Sequence, residues 1–247
     1  MTRRSLRSSC FLPSDEEGFR EDPFLEVRVI PLIHEDDNAV TRLAALGLTV
    51  DDLVSALMAG DAEARAWTEA APLNMPGMAR WGRTNESLRI GLARKSKDWT
   101  YKNPRNLPLT INEPIAVAIV ATSGDGGTGD RKWLPSTKYA KGIAVAEAVG
   151  QNEQLALFSD VDAEVGNALG AVAASSSGLK TWIYLYRVTP EGVFSELSLP
   201  ETISDDGYID RWRERIIVPM YRFDDAVAAA TAHPDDGGDV TVAVERR

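Results

Sequence analysis

A continuous run of apolar residues at positions 115–122 (IAVAIVAT) limits the possible folds more than any other feature of the chain. The run has the length of a strand, and it lacks the apolar–polar alternation that marks a strand with one face in water. A strand of this kind is covered on both faces. The run therefore predicts a central strand in a sheet with further layers above and below it.

A second strong signal predicts an antiparallel hairpin at 181–199. The segments 181–188 (TWIYLYRV) and 192–199 (GVFSELSL) are rich in β-branched and aromatic residues, and a short connection containing Pro190 separates them. Two such segments joined by a few turn residues are typical of a β-hairpin.

Two further strands are predicted near prolines. A strand at 213–218 is expected to stop at Pro219, and a segment at 25–33 is limited by Pro31 to an edge strand or an extended stretch. The reason is the same in both cases, because proline has no backbone N–H to donate to a sheet ladder.

Residues 38–70 are predicted to form helices. Thr49 and Asp52 have the spacing of a capping box, in which each side chain binds a backbone N–H of the other residue. Apolar residues follow this pair at helical spacing, and Gly60 with Asp61 is predicted to break the helix.

The helices and strands are segregated along the chain, which indicates an α+β protein and argues against a doubly wound nucleotide-binding fold. We predict a mainly helical part with an irregular N-terminal arm at 1–105. An α+β part at 106–247 follows, with a mixed or antiparallel sheet and flanking helices around the strand 115–122 and the hairpin 181–199. The two parts are also compatible with one continuous domain.

The net charge of −10 argues against a protein that coats DNA over its whole surface, because that function needs a basic face. With one cysteine, Cys10, the chain cannot form an intrachain disulfide, and it cannot form a thiolate metal cluster with His34 and His233. The basic first residues lack the apolar segment of a signal peptide, and no run reaches the length of a membrane span. We therefore expect a cytoplasmic protein without a membrane partner.

A predicted helix at 81–92 carries several basic residues, which leaves two interpretations open. It could read nucleic acid, or it could be an amphipathic packing helix with a solvated basic side, and the absence of clear recognition-helix spacing favours packing. The basic residues concerned are Arg80, Arg83, Arg89 and Arg94.

A glycine-rich segment, 124–130 (GDGGTGD), directly follows the predicted central strand. Its backbone N–H groups could bind an anion, with Lys132, Lys138 and Lys141 just downstream to neutralise phosphate, or Asp125 and Asp130 could bind a divalent cation. The segment matches no Walker, dinucleotide-binding or EF-hand pattern. A plain flexible turn is therefore the favoured interpretation.

Glu196 completes the set of candidate catalytic residues, which also includes Asp125, Asp130 and Lys138. It lies in the middle of the predicted hairpin, where burial would make it a candidate acid or base. An exposed strand carboxylate is the favoured interpretation, and the lysine that a metal-dependent nuclease would carry two residues later is replaced by Ser198. No Gly-x-Ser-x-Gly motif supports a serine hydrolase.

Residues 154–158 (QLALF) have the pattern of a docking peptide. Such peptides bind through an extended backbone and a few apolar anchors. The segment resembles the bacterial sliding-clamp-binding motif, Gln-Leu-(Ser or Asp)-Leu-Phe, and departs from it at Ala156. The resemblance implies that Gln154, Leu155, Leu157 and Phe158 are the contact residues and that the partner is the DNA sliding clamp. The alternative is that these residues pack into the protein's own core.

Four short segments together resemble uncharacterised bacterial proteins encoded near restriction or phage-defence genes: 124–129, 137–142, 154–158 and 196–200. We therefore expect a non-catalytic interaction protein in bacterial DNA metabolism or anti-phage defence. The alternatives are a metal- or phosphate-dependent enzyme, nuclease or phosphohydrolase-like, that uses the glycine-rich segment, and a DNA-binding regulator. The sequence identifies no cofactor and leaves open whether a reaction is catalysed.

Overall fold

The computed structural model describes residues 30–159 and 178–223, including their side chains except those of 153–159. The predicted N-terminal arm and Cys10 lie outside the described residues. So does most of the predicted strand at 25–33, whose last residues belong to an edge strand, β1 (Leu32–His34).

The described residues form one seven-stranded mixed sheet with four helices, which confirms the predicted α+β class. The strand order is β1-β7-β6-β5-β4-β3-β2. The remaining strands are β2 (Trp99–Lys102), β3 (Leu109–Asn112), β4 (Val117–Ser123), β5 (Lys180–Val188), β6 (Gly192–Thr202) and β7 (Arg211–Arg222). The pairs β1–β7 and β4–β5 are parallel, and the other neighbouring pairs are antiparallel.

Helices cover both faces of this sheet. One face packs against α1 (Asp36–Ala45), α2 (Val50–Arg65) and α3 (Met75–Lys95), and the other packs against α4 (Ile143–Ser159). Side chains of β4 contribute to the hydrophobic cores on both faces. The predictions of a doubly covered central strand and of the hairpin formed by β5 and β6 are therefore confirmed.

The observed β4 begins two residues later than the predicted strand, at Val117. The reason is a tight turn in which the N–H of Ala116 donates to the carbonyl of Glu113 at 3.0 Å, with a positive φ of 53° at Ala116. Residues 115 and 116 therefore belong to the turn that reverses the chain from β3 into β4.

The capping box at the start of α2 is confirmed. Thr49 Oγ1 accepts from the N–H of Asp52 at 3.2 Å, and the Asp52 carboxylate accepts from the N–H of Thr49 at 2.7 Å. The predicted break at Gly60 and Asp61 is wrong, because α2 continues to Arg65. Gly60 instead allows α2 and α3 to approach closely, since a Cβ there would lie 2.8 Å from the carbonyl oxygen of Arg80.

The prediction that the strand at 213–218 stops at Pro219 is wrong, because β7 runs on to Arg222. Pro219 falls at a bulge between the paired residues Val218 and Tyr221. It also lies beyond Ile216, the last residue of β7 that pairs with β1. No ladder hydrogen bond therefore requires an N–H at position 219.

The two strands at one end of the sheet, β2 and β3, were not predicted from the sequence. Each has only four residues, which is too short for an alternation pattern to stand out. Because β2 precedes residue 105 and β3 follows it, the sheet is continuous across the predicted division of the chain.

No single helix among residues 30–159 and 178–223 is long and apolar enough to cross a membrane. The helices α1 and α2 reach the required length and hydropathy only when taken together, and they are bent by 94° relative to each other.

Candidate functional site

The candidate site lies where β4 and β5 end. These strands are neighbours and run in parallel, so their carboxyl ends, at Ser123 and Val188, lie at the same edge of the sheet. Loops that follow adjacent parallel strands commonly form ligand sites at such an edge. The connection after β4 turns back at once, with a bridge between Gly124 and Thr137.

Helix α3 closes the side of this site because β3 is too short to pair with the end of β4. Continuing the register of Thr110 with Ile119 would place Pro108 opposite Ala121, and proline has no N–H to donate. The side chain of Asn85 takes that place. Its Oδ1 accepts from the N–H of Ala121 at 3.1 Å, and its Nδ2 donates to the carbonyl of Ala121 at 3.2 Å.

The same contact positions Trp81, one turn earlier in α3. Its indole Nε1 donates to the carbonyl of Ala121 at 3.1 Å. Because the N–H is held by the strand, the partly exposed ring of Trp81 is fixed beside the end of β4.

A cavity of about 690 Å³ opens between the first turns of α3, the ends of β4 and β5, and the segment after Thr137. It is lined by apolar and aromatic side chains together with three cationic residues. The lining residues are Leu73, Asn74, Gly77, Met78, Arg80, Trp81, Thr122, Ser123, Gly124, Lys138, Tyr139, Tyr186, Arg187 and Val188.

The charge of the cavity wall is positive, since its cations are Arg80, Lys138 and Arg187 and none of its described lining residues is acidic. Arg80 is neutralised in part by Asp61, at 3.0 Å. The guanidinium of Arg187 lies over the ring of Phe194, 4.5 Å from its centre, and the exposed Glu191 interacts with its charge.

Lys138 stands at the mouth of the cavity. Its N–H donates to the carbonyl of Ser123 at 3.0 Å, which fixes the backbone beside the end of β4 while the side chain remains exposed. The ammonium lies 5.6 Å from the centre of the Tyr139 ring, and both residues line the cavity.

Tyr186 supplies a neutral hydroxyl to the buried end of the cavity. Burial raises the pKa of Tyr186 to about 12, although the nearby Arg80 lowers it in part. The phenol is therefore protonated at neutral pH and can donate a hydrogen bond to a bound group.

A smaller side chamber adjoins the cavity. It has a volume of about 220 Å³, and Trp81 and Thr122 line both spaces. Lys141 enters it, donating from Nζ to Thr122 Oγ1 at 2.9 Å. Burial lowers the pKa of Lys141 to about 8. The other lining residues are Asn106, Leu107, Pro108, Val120, Ala121, Val145, Ile183 and Ile209.

The glycine-rich segment does not act as an open anion nest. Three of its glycine N–H groups have partners within the protein: Gly124 donates to the carbonyl of Tyr186, and Gly127 and Gly129 donate to the carboxylates of Asp125 and Glu196, at 2.9–3.0 Å. The segment is a turn, and its hydrogen bonds to Tyr186 and Glu196 hold it against the sheet.

Glu196 is the most deeply placed of the predicted catalytic residues, and the expectation of an exposed carboxylate is wrong. The side chain is fully buried and paired with the equally buried Arg215, whose Nε and Nη2 donate to it at 3.0 and 2.6 Å. Ser198 and Gly129 also donate to this carboxylate, at 2.7 and 2.9 Å. The alternation of β6 indicated the face of Glu196, but nothing local identified Arg215 as its partner.

Arg215 extends this network to the turn itself. Its guanidinium donates to the carbonyls of Asp130 and Trp133, both at 3.0 Å. The pair of Glu196 and Arg215 therefore holds the glycine-rich segment against the sheet.

The four predicted catalytic residues do not form one site. Asp125 and Asp130 accept from backbone N–H groups two residues ahead, as turn-forming aspartates do, and Glu196 is enclosed with Arg215. Only Lys138 lines the cavity. Within the described part of the chain, no group of three His, Cys, Asp or Glu residues could hold a metal ion.

Most of the predicted basic residues of α3 form ion pairs or hydrogen bonds within the protein. Arg80 binds Asp61 and Arg83 binds Glu86, at 3.0 and 2.7 Å. Arg89 donates to the carbonyl of Lys102 and to Asn103 Oδ1, at 3.1 and 2.8 Å. Arg94 is exposed. These contacts support a packing helix, and nucleic-acid binding stays a prediction.

The proposed docking segment 154–158 has a helical backbone. The glycine at position 150 predicts a helix end just before this segment, and that prediction is wrong, because α4 continues to Ser159. The side chains of Gln154, Leu155, Leu157 and Phe158 lie outside the described residues, so their contact roles stay predictions.

Sequence reasoning did not assign a ligand-binding role to Trp81, Tyr139 or Arg187. One usable signal was Arg187 at the end of an otherwise apolar strand, where a cation next to a buried run points to a specific contact.

Comparisons of the chain with protein-family models, with curated proteins and with solved structures gave no match.

Proposed function

We propose that the protein binds a small anionic molecule that also carries a flat, apolar ring, such as a nucleotide, in the cavity at the ends of β4 and β5. The observation that carries this proposal is a cavity wall that combines cations and aromatic rings and contains no acidic residue among its described members. Lys138 is thus still proposed to bind phosphate, but in the cavity and not in the neighbouring glycine-rich segment.

The anionic character follows from the cations of the wall. Arg80, Lys138 and Arg187 line the cavity, and none of its described lining residues is acidic. Hydrogen bonds to charged groups are stronger than those between neutral groups, so these side chains favour a bound oxyanion. Lys138 places an exposed cation at the mouth.

The flat ring of the proposed ligand is inferred from the aromatic side chains of the cavity wall. Trp81 is held by its indole N–H and exposes part of its ring, and Tyr139 is largely exposed beside Lys138. Rings held in this way stack on flat ligands with little loss of side-chain entropy. The volume of about 690 Å³ lies within the range of small-molecule sites, roughly 300–1,000 Å³.

Isothermal titration calorimetry with ATP, adenosine and pyrophosphate tests the proposal. We expect ATP to bind more tightly than either of its parts. Lys138→Ala should weaken ATP binding by about tenfold, since one exposed charge–phosphate contact is worth roughly 1–1.5 kcal/mol. Adenosine binding should change little.

Lys132→Ala is the matched control, because Lys132 is an exposed lysine in the same connection that does not line the cavity. Equal affinities of both variants for ATP, or an absence of binding by the unaltered protein at low salt, would show that the cavity does not bind anions of this kind.

The wider setting of this activity is part of the proposal. A role in bacterial DNA metabolism or anti-phage defence is supported by the resemblance of segments such as 137–142, and a cytoplasmic location is supported by the single cysteine. Docking on the sliding clamp through 154–158 is tested by surface plasmon resonance against the clamp. Unchanged binding by the variant Leu157→Ala plus Phe158→Ala would contradict it.

A further inference from the structure

Lys141 is the one titratable residue among those that line the side chamber. Its Nζ donates to Thr122 Oγ1 at 2.9 Å, and no described carboxylate forms an ion pair with it. The backbone is fixed as well, because the N–H of Lys141 donates to the carbonyl of Gly207 at 2.7 Å. The amine is therefore held by a neutral hydroxyl at the wall of an apolar space.

This environment favours the neutral amine. The pKa of Lys141 is lowered to about 8 because burial disfavours the charged form. At pH 7 about one amine in ten is then neutral, against fewer than about one in a thousand for an exposed lysine. The neutral amine is the nucleophilic form, and a desolvated lysine is a common source of it in proteins.

We propose that Lys141 forms a reversible imine with the carbonyl carbon of an aldehyde or ketone whose apolar part enters the side chamber. The Nζ lone pair attacks the carbonyl carbon, a C–N bond forms, and a proton passes from nitrogen to the former carbonyl oxygen. The resulting carbinolamine then loses its hydroxyl group together with the second proton of the nitrogen as water, and the nitrogen lone pair forms the C=N bond. Amine and carbonyl are converted to imine and water, so no oxidant or reductant is needed.

The geometry also links this amine to the larger cavity, because Thr122 and Trp81 line both spaces. A ligand with an anionic group near Lys138 and a carbonyl on its ring could reach both sites. This part of the inference rests on the proposed function, whereas imine formation with an uncharged carbonyl compound does not.

Two probes separate these parts: benzaldehyde, which is uncharged, and 4-formylphenyl phosphate, which adds the anion. Each is incubated with the full-length protein, trapped with sodium cyanoborohydride, and mapped by peptide mass spectrometry. We expect Lys141 to be labelled at least about tenfold faster than the exposed lysines, as its larger neutral fraction requires. The phosphate probe should label Lys141 faster still, and Lys138→Ala should remove only that additional gain.

Lys141→Met should abolish the fast labelling, and Lys132→Met should retain it, with circular dichroism to confirm that both variants are folded. Labelling spread evenly over the exposed lysines of the unaltered protein would overturn the inference, as would fast labelling of Lys141→Met. If benzaldehyde labels Lys141 rapidly and 4-formylphenyl phosphate labels it no faster, the proposed anion site is contradicted and imine formation is supported. If ATP binds in the calorimetric test but neither aldehyde labels Lys141, the imine fails and the anion site stands.

Discussion

At the scale of single residues, the buried pair of Glu196 and Arg215 connects the glycine-rich segment to the sheet. Both side chains are fully buried, and together they accept from or donate to Gly129, Ser198 and two backbone carbonyls. A buried ion pair adds little net stability compared with apolar residues, but removing one partner leaves an uncompensated charge in the interior.

We expect Glu196→Gln to lower the free energy of unfolding by about 3–5 kcal/mol, because Arg215 would remain buried without a counter-charge. Urea unfolding at neutral pH measures the loss. Glu201→Gln is the matched control on the same strand, where a partly exposed carboxylate should contribute less than about 1 kcal/mol. Similar losses for the two variants would contradict a structural role for the pair.

Among the elements, helix α3 is held beside the candidate site by two sets of contacts. It packs closely on α2, and its polar side chains complete the hydrogen bonding of β4 where β3 ends. The close packing of α3 on α2 requires Gly60, because a side chain there would meet Thr84 and the backbone of Arg80.

We expect Gly60→Ala to destabilise the protein by roughly 1–3 kcal/mol, since the added methyl group must push α2 and α3 apart. Gly91→Ala is the control within α3, because a Cβ at that position would meet no atom within 4 Å outside the adjacent residues and the local helix backbone. That change should stabilise by about 0.5–1 kcal/mol through helix propensity alone. Thermal unfolding of both variants checks the opposite signs, and a Gly60→Ala variant as stable as the parent would show that the helices separate freely.

At the scale of the whole molecule, the described residues share one sheet and two cores. The predicted division at residue 105 falls between β2 and β3, which pair with each other. Helices α1–α3 cover the face that carries Trp182, Tyr184 and Ile216.

A fragment containing residues 106–247 alone is expected to lack a cooperative thermal transition, because removing α1–α3 uncovers that face. Circular dichroism during heating, compared with the full chain, measures this. A sharp transition in the fragment would instead establish an independent C-terminal domain.

Much of the local structure was predictable from the sequence. The strand at 115–122, the hairpin and the capping box at Thr49 depend on residues that are close in the chain, and their patterns act over a few positions. The errors at Gly60 and Pro219 have one cause. A local breaking tendency was overridden by helix packing in the first case and by a bulge in the second.

The candidate site depended on the tertiary structure instead. Gly129 and Glu196 are 67 residues apart, and Arg215 binds the carbonyl of Asp130 over 85 residues. The packing of distant elements determines which polar groups form hydrogen bonds with each other. No local sequence pattern encodes these pairs. The sequence alone therefore determined the class of the fold and its central strand. The burial of Glu196 with Arg215, and the cavity that Lys138 and Arg187 line, depend on contacts between distant parts of the chain.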